Sequence, residues 1–204
     1  MTELPNYADL PPAPRGGRSA WGLFGAEDNL GLVNLMTPDR IAAAARLVRR
    51  GQVFCLDMPI GSISPALATF RGPPRHQVLH EPGTAGFDDV YDNFYPQAAS
   101  QWDSLAHIGY APDQMYNGAT EQEVLADTFG VEVFPADTSR LAYPFGFLHN
   151  MLIGQFGMAL GELWWLSDLA SDCAADGVYE MFMVSAPMNA PGGIGSPANA
   201  VAIK

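Results

Sequence analysis

Basic side chains are scarce in this chain. Ten lysines and arginines stand against twenty-two aspartates and glutamates, a formal net charge of −12, so neither a nucleic-acid backbone nor an anionic lipid surface finds the counter-charge it needs. No nucleic-acid partner and no membrane partner is expected. Cysteine is nearly absent: Cys55 and Cys173 lie far apart, without a metal-type or disulfide-framework spacing, and read as small buried hydrophobes in a reducing compartment. Long apolar runs are missing too. The richest stretch, Phe145 to Leu169, is broken by Gly146, His149, Asn150, Gly157, Gly161 and Glu162, short of the roughly eighteen uninterrupted apolar residues that cross a bilayer. The opening MTELPNYADLPPAPRGG carries acid and proline where a signal peptide needs a basic start and an apolar run, so a cytoplasmic location is expected. There is no internal repeat and no low-complexity segment.

What is present suits one ordinary domain with a core of its own: 204 residues, 48% hydrophobic and 16% charged. Residues 1–20 read as an extended, proline-rich arm and 21–204 as the folded part. Thr37-Pro38-Asp39 supplies a capping hydroxyl, a proline for the first helical position and an acid at the positive end, predicting a helix closed by Gly51 with Ile41, Ala44, Ala45 and Val48 on its packed face. Val53 to Met58 reads as a buried strand, and Ile60 to Pro96, crowded with proline and glycine, as a long irregular excursion of the kind that carries function. Thr120-x-x-Glu123 is a capping box opening a helix to about Gly130, ahead of a brief strand over Val131 to Phe134. A helix is expected from about Phe147 to Phe156 and another from Ser167-Asp168 to Ala175, stopped by Gly177. Val178 to Ala186 reads as a central strand, and a Gly/Pro loop then feeds a last short strand. Helices and strands interleave, which predicts a mixed α/β domain, its sheet flanked by helices.

Two groups of polar residues could carry chemistry. In Gln101-Trp102-Asp103-Ser104-Leu105-Ala106-His107, Gln101 and Asp103 share one face of a strand, and a turn could return His107 over them. Equally, Asp103 could cap a turn and His107 be an ordinary half-buried histidine. His149 and Glu162 lie in very apolar surroundings, where such groups are costly unless paired, hydrogen-bonded or bound to a cation. A divalent metal would satisfy both; so would a plain His–Glu hydrogen bond. His76 and His80, four residues apart, could ligate a metal only if that segment were helical, and Pro73-Pro74 and Pro82 argue for an exposed loop. Gly192-Gly193-Ile194-Gly195 reads as a tight turn near the mouth of a site and is no dinucleotide fingerprint.

Taken together, several segments resemble the cyclase family, the metal-dependent hydrolases that include kynurenine formamidase and isatin hydrolase, and in particular its longer cyclase-like members. The segments are Trp21-Gly22 through Asn34-Leu35-Met36-Thr37-Pro38, residues 101–107, Met115-Tyr116-Asn117-Gly118, His149 to Glu162, and Ala186-Pro187-Met188 through Ala198-Asn199. The resemblance implies a swivelling β/β/α domain, hydrolysis of an amide or formamide such as N-formylkynurenine, a small aromatic amide substrate and a homodimer. In the formamidase motif H-x-G-T-H-x-D-x-P-x-H the aspartate falls on Asp103 and the last histidine, the proton shuttle, on His107. The two early histidines fall on Gln97 and Gln101. The family's second ligand pair falls on His149 and Glu162. A site of Asp103, His149, Glu162 and an oxygen from Gln101 is thereby implied, holding one divalent ion. Such a set is oxygen-rich and suits manganese or magnesium at least as well as zinc. Trp21, Trp102, Tyr116 and Asn117 are the substrate-binding candidates, the three aromatics being either a clamp for an aromatic substrate or core and interface residues. A stretch with R-G-V-L-L-D that relatives carry has no counterpart between Ala119 and Ala142, so the chain reads as a shortened form with a jump near 124–127: either a natural minimal form or an internal deletion that removes central strands from its sheet.

Overall fold

Short alternating segments make the sheets of this protein, and close-packed small residues hold them together. The computed structural model describes residues 4–68, 70–83, 85–127 and 147–204. Among these residues eight strands, β1 (Val53–Cys55), β2 (Arg75–His80), β3 (Phe87–Asp92), β4 (Gln101–Asp103), β5 (Leu160–Glu162), β6 (Phe182–Ser185), β7 (Gly195–Pro197) and β8 (Ala200–Ile203), form sheets of order β1-β8-β6, β2-β3 and β5-β4-β7. Every pairing among them is antiparallel. The helices interleave with these strands: α1 (Pro38–Ala45), α2 (Glu121–Asp127), α3 (Phe147–His149), which runs on as a π-helical segment Asn150–Gln155, and α4 (Ser167–Asp176). The α/β class expected above is the one observed. No described helix is long and apolar enough to cross a membrane.

The core lies where β8 meets α4. Phe54, Leu56, Leu169, Cys173, Ala198, Ala200 and Ala202 are buried together, with Trp102, Trp164 and Met181 packed on them. Ala200 and Ala202 are fully buried in this cluster, and burying the larger apolar side chains contributes about 1.5–3 kcal/mol each. The end of β8 is tied to α4 by the Lys204 ammonium, 2.9 Å from both Asp172 and Asp176. Ser100 stitches this core to β4: its hydroxyl accepts from Met58 N at 2.8 Å and donates to Leu163 O.

Several elements depart from expectation, each for a local reason. α1 opens at Pro38 with Thr37 Oγ1 accepting from Arg40 N, but ends at Ala45, and Ile41 stays 44% exposed. Little among the described residues packs over that face. β1 stops at Cys55, which is exposed rather than buried, while Cys173 is buried; both are free thiols. β6 is an edge strand, and the last strand, β8, is the central one. α4 begins at Ser167 with Leu166 at the cap position, and Gly177 stops it at φ 71°, a backbone region where glycine carries no Cβ penalty. The Thr120/Glu123 capping box forms reciprocally, Thr120 N to Glu123 Oε2 at 2.7 Å and Glu123 N to Thr120 Oγ1 at 3.2 Å. The strand expected over Val131 to Phe134 lies outside the described residues.

The excursion from Ile60 to Pro96 is not irregular throughout: it contains the β2–β3 hairpin, paired from Arg75↔Asp92 to His80↔Phe87. His76 stacks on Tyr91 with ring centroids 4.4 Å apart, and His80 on Phe87 at 4.5 Å. These cross-strand ring pairs are what stabilise an exposed hairpin. As strand residues four apart, the two histidines sit about 13 Å from each other along the chain, which excludes a shared ion.

Candidate metal centre

Strand β4 is the middle of its sheet, with Gln101 opposite Glu162 and Asp103 opposite Leu160 on β5, and β7 on the other side. Side chains alternate across a strand, so Gln101 and Asp103 share one face and Trp102 takes the other. Trp102 points into the core. Its ring lies edge-on to Trp164 at 5.5 Å and its Nε1 donates to Ser185 Oγ at 2.7 Å. Gln101 and Asp103 are buried, 3% and 0% exposed.

Two further elements bring histidines to this face. Beyond β4 a turn forms at Ser104, whose Oγ accepts from Ala106 N at 3.2 Å and whose carbonyl accepts from His107 N at 3.0 Å. The turn returns His107 so that its Nε2 lies 3.7 Å from Asp103 Oδ1. The last residue of α3, His149, places Nε2 at 3.6 Å from Asp103 Oδ2 and 3.2 Å from Glu162 Oε1. Asn150, the first residue of the π-helical segment, fixes this helix by donating to Gly109 O at 2.6 Å.

One ligand atom from each of Asp103, His149 and Glu162 lies within 4.8 Å of the other two. Two carboxylates and an imidazole gathered this closely are a donor set for a divalent cation. The neighbouring amide sharpens the fit. Gln101 Nε2 donates to Asp103 Oδ1 and Oδ2 at 3.2 and 3.3 Å and to Glu162 Oε2 at 3.4 Å, while its buried Oε1 has no hydrogen-bond partner among the described residues. A buried oxygen left unsatisfied is costly. Reversing the amide would aim that oxygen at the carboxylates, an arrangement made favourable by a cation between them.

The electrostatics divide the two histidines. Asp103 holds His149 above its ordinary value, outweighing burial, with Glu162 adding to the effect. His107 is pushed down because burial outweighs the attraction of Asp103, and Arg71 and His149 act in the same direction. His107 is therefore the more readily neutral of the pair, as a proton acceptor must be.

The face opens into a cavity of about 510 Å³ whose walls include Arg71, Gln101, His107, His149, Glu162 and Trp164. Of the nine residues singled out from the sequence, Gln101, His107, His149 and Glu162 line this cavity, and Asp103 is buried behind it within reach of both histidines. The remaining four do not line the cavity. Trp102 serves the core, as above. Trp21 donates to Gly154 O at 2.8 Å, buried Tyr116 donates to Asp28 Oδ2 at 3.1 Å, and Asn117 binds Gly22 N and Ala26 O at 2.7 and 2.8 Å. Their polar atoms are engaged in holding loops, so the expected aromatic clamp is not formed at this cavity. Tyr116 and Asn117 border a second cavity of about 420 Å³ beside Ser104 and Ala106. Arg71 was not foreseen: it sits in a Gly/Pro-rich loop where no periodicity or spacing marks it.

No family model and no curated protein matches this sequence. A solved structure described as that of a novel cyclase does match, with a TM-score of 0.75 at 24% identity, covering 91% of this chain and 99% of that one. Over nine-tenths of its length, this chain has the fold of that cyclase.

Proposed function

We propose that this protein is a metal-dependent hydrolase of the cyclase family, acting on the C–N bond of an amide or formamide as an arylformamidase does. The observation that carries the reading is the meeting of Asp103, His149 and Glu162 within 4.8 Å, with His107 beside Asp103 at 3.7 Å. Asp103, His149 and Glu162 would hold one manganese, magnesium or zinc ion, with Oε1 of Gln101 as a further oxygen donor. When bound, such an ion polarises a carbonyl and makes water acidic near neutral pH.

The chain's own residues supply the rest. Half-buried His107, neutral at working pH, accepts the proton from the attacking water and gives it to the departing nitrogen as the C–N bond breaks. The products are the free amine and the carboxylate, formate in the case of a formamide. Burial of Asp103 and Gln101 on a central strand keeps the donor set in place before substrate arrives, which spares reorganisation during the reaction. The residue pattern over 101–107 and the His149/Glu162 pair support the hydrolase assignment, as does the shared fold.

The test is release of amine and formate from an aryl formamide by manganese-reconstituted protein. Turnover should vanish on exhaustive chelation and return with added metal. A rate undiminished by chelation contradicts the reading, and a ring-opened or eliminated product identified by mass would replace hydrolysis with lyase chemistry on the same residues.

A further inference from the structure

Among the described residues Arg71 is the one arginine or lysine on the wall of the cavity beside Asp103, His149 and Glu162. It also lines a neighbouring cavity of about 630 Å³ walled by Tyr91, Phe94 and Tyr95. The guanidinium is anchored by a hydrogen bond to Gln97 O and lies 5.4 Å from the centre of the Phe70 ring. Among the described residues no carboxylate comes within ion-pair distance of it, although acids outnumber bases more than two to one. Asp103 and Glu162 act on it only at longer range. A half-buried arginine with donors unspent is suited to bidentate capture of a planar anion.

The charge balance of the cavity points the same way. A divalent cation offsets Asp103 and Glu162, and Arg71 is then surplus positive charge inside a strongly acidic protein. We infer that Arg71 recognises a carboxylate on the substrate, placing its acyl group at the Asp103–His149–Glu162 end and its ring toward Tyr91, Phe94 and Tyr95. The inference rests on the proposed hydrolase reading for the identity of the acyl group, but anion recognition is measurable without turnover.

Benzoate and benzamide, equal in shape and different in charge, are the probes. Calorimetric titration of the manganese-loaded and of the chelated wild type should show benzoate bound about tenfold or more tightly than benzamide in at least the loaded form. Arg71→Gln should abolish that preference, and Arg71→Lys, which keeps the charge and loses the fork, should restore part of it. A wild type without the preference, or a preference that persists in Arg71→Gln because the metal alone holds the anion, overturns the inference. The two readings fail separately. An Arg71-dependent preference in a protein that hydrolyses no aryl formamide supports anion recognition and sinks the hydrolase assignment; formamide hydrolysis without that preference does the reverse.

Discussion

Replacing His107 by asparagine is expected to lower kcat for an aryl formamide by about two to four orders of magnitude, the usual contribution of a positioned general base, while metal content stays at the wild-type level. The reason is geometric. His107 lines the cavity but is not one of the three residues whose ligand atoms cluster, and the Ser104 turn brings it over Asp103. Burial keeps its ring neutral more readily than His149, whose proton is favoured by Asp103 and Glu162. Asparagine keeps a polar group at the position of the ring's Nδ1 but does not reach Nε2 and cannot carry a proton. Paired measurements of turnover and bound metal check this; an unaltered rate removes His107 from the chemistry.

The second large effect concerns stability. Gly157 has φ +64°, and a Cβ there would lie 2.3 Å from Cε2 of Tyr116. That ring cannot move aside freely: it is buried, and its hydroxyl is held by Asp28. The Gly157 carbonyl is itself engaged, accepting from Leu32 N at 2.8 Å. Gly157→Val therefore combines overpacking with a left-handed backbone that branched residues avoid, a loss of about 3 kcal/mol or more. For a chain of this size that lowers Tm by roughly 6–12 °C. Because residue 157 lies between His149 and Glu162 in the chain, the same variant should also hold metal poorly. Thermal unfolding within a degree of the wild type would show that Tyr116 is not packed as described.

How much of this was legible beforehand depends on whether a local rule applied. Strand alternation put Gln101 and Asp103 on one side, but that they and His107 form a site was implied only by the resemblance to the cyclase family. His149 and Glu162 were readable because ionisable groups in apolar surroundings demand a partner. The same alternation should have sent Trp102 to the core, since it lies between Gln101 and Asp103; its aromatic character drew the reading toward substrate instead. Tyr116 and Asn117 are engaged by loops far away in sequence, partners that no window of residues reveals. The β2–β3 hairpin was hidden because prolines and glycines flank it and because neither strand alternates apolar with polar residues, Val78-Leu79 and Val90-Tyr91 being adjacent. Arg71 left no mark at all, because its place on the cavity wall is set by where its loop passes β4 and not by its own neighbours. The exposure of Cys55 and of Ile41 on α1 among the described residues likewise depends on tertiary packing, which composition cannot state.

The central claim is that Asp103, His149 and Glu162 hold one divalent ion, and it is tested most directly by metal content and binding isotherms of the purified protein beside His149→Ala and Glu162→Ala. One manganese or zinc ion per chain is expected in the wild type, with affinity reduced at least about tenfold in each variant. Equal metal content in all three proteins, or none in a folded wild type supplied with manganese, magnesium or zinc, would contradict it and leave the cluster as a set of hydrogen bonds joining α3 to β4 and β5.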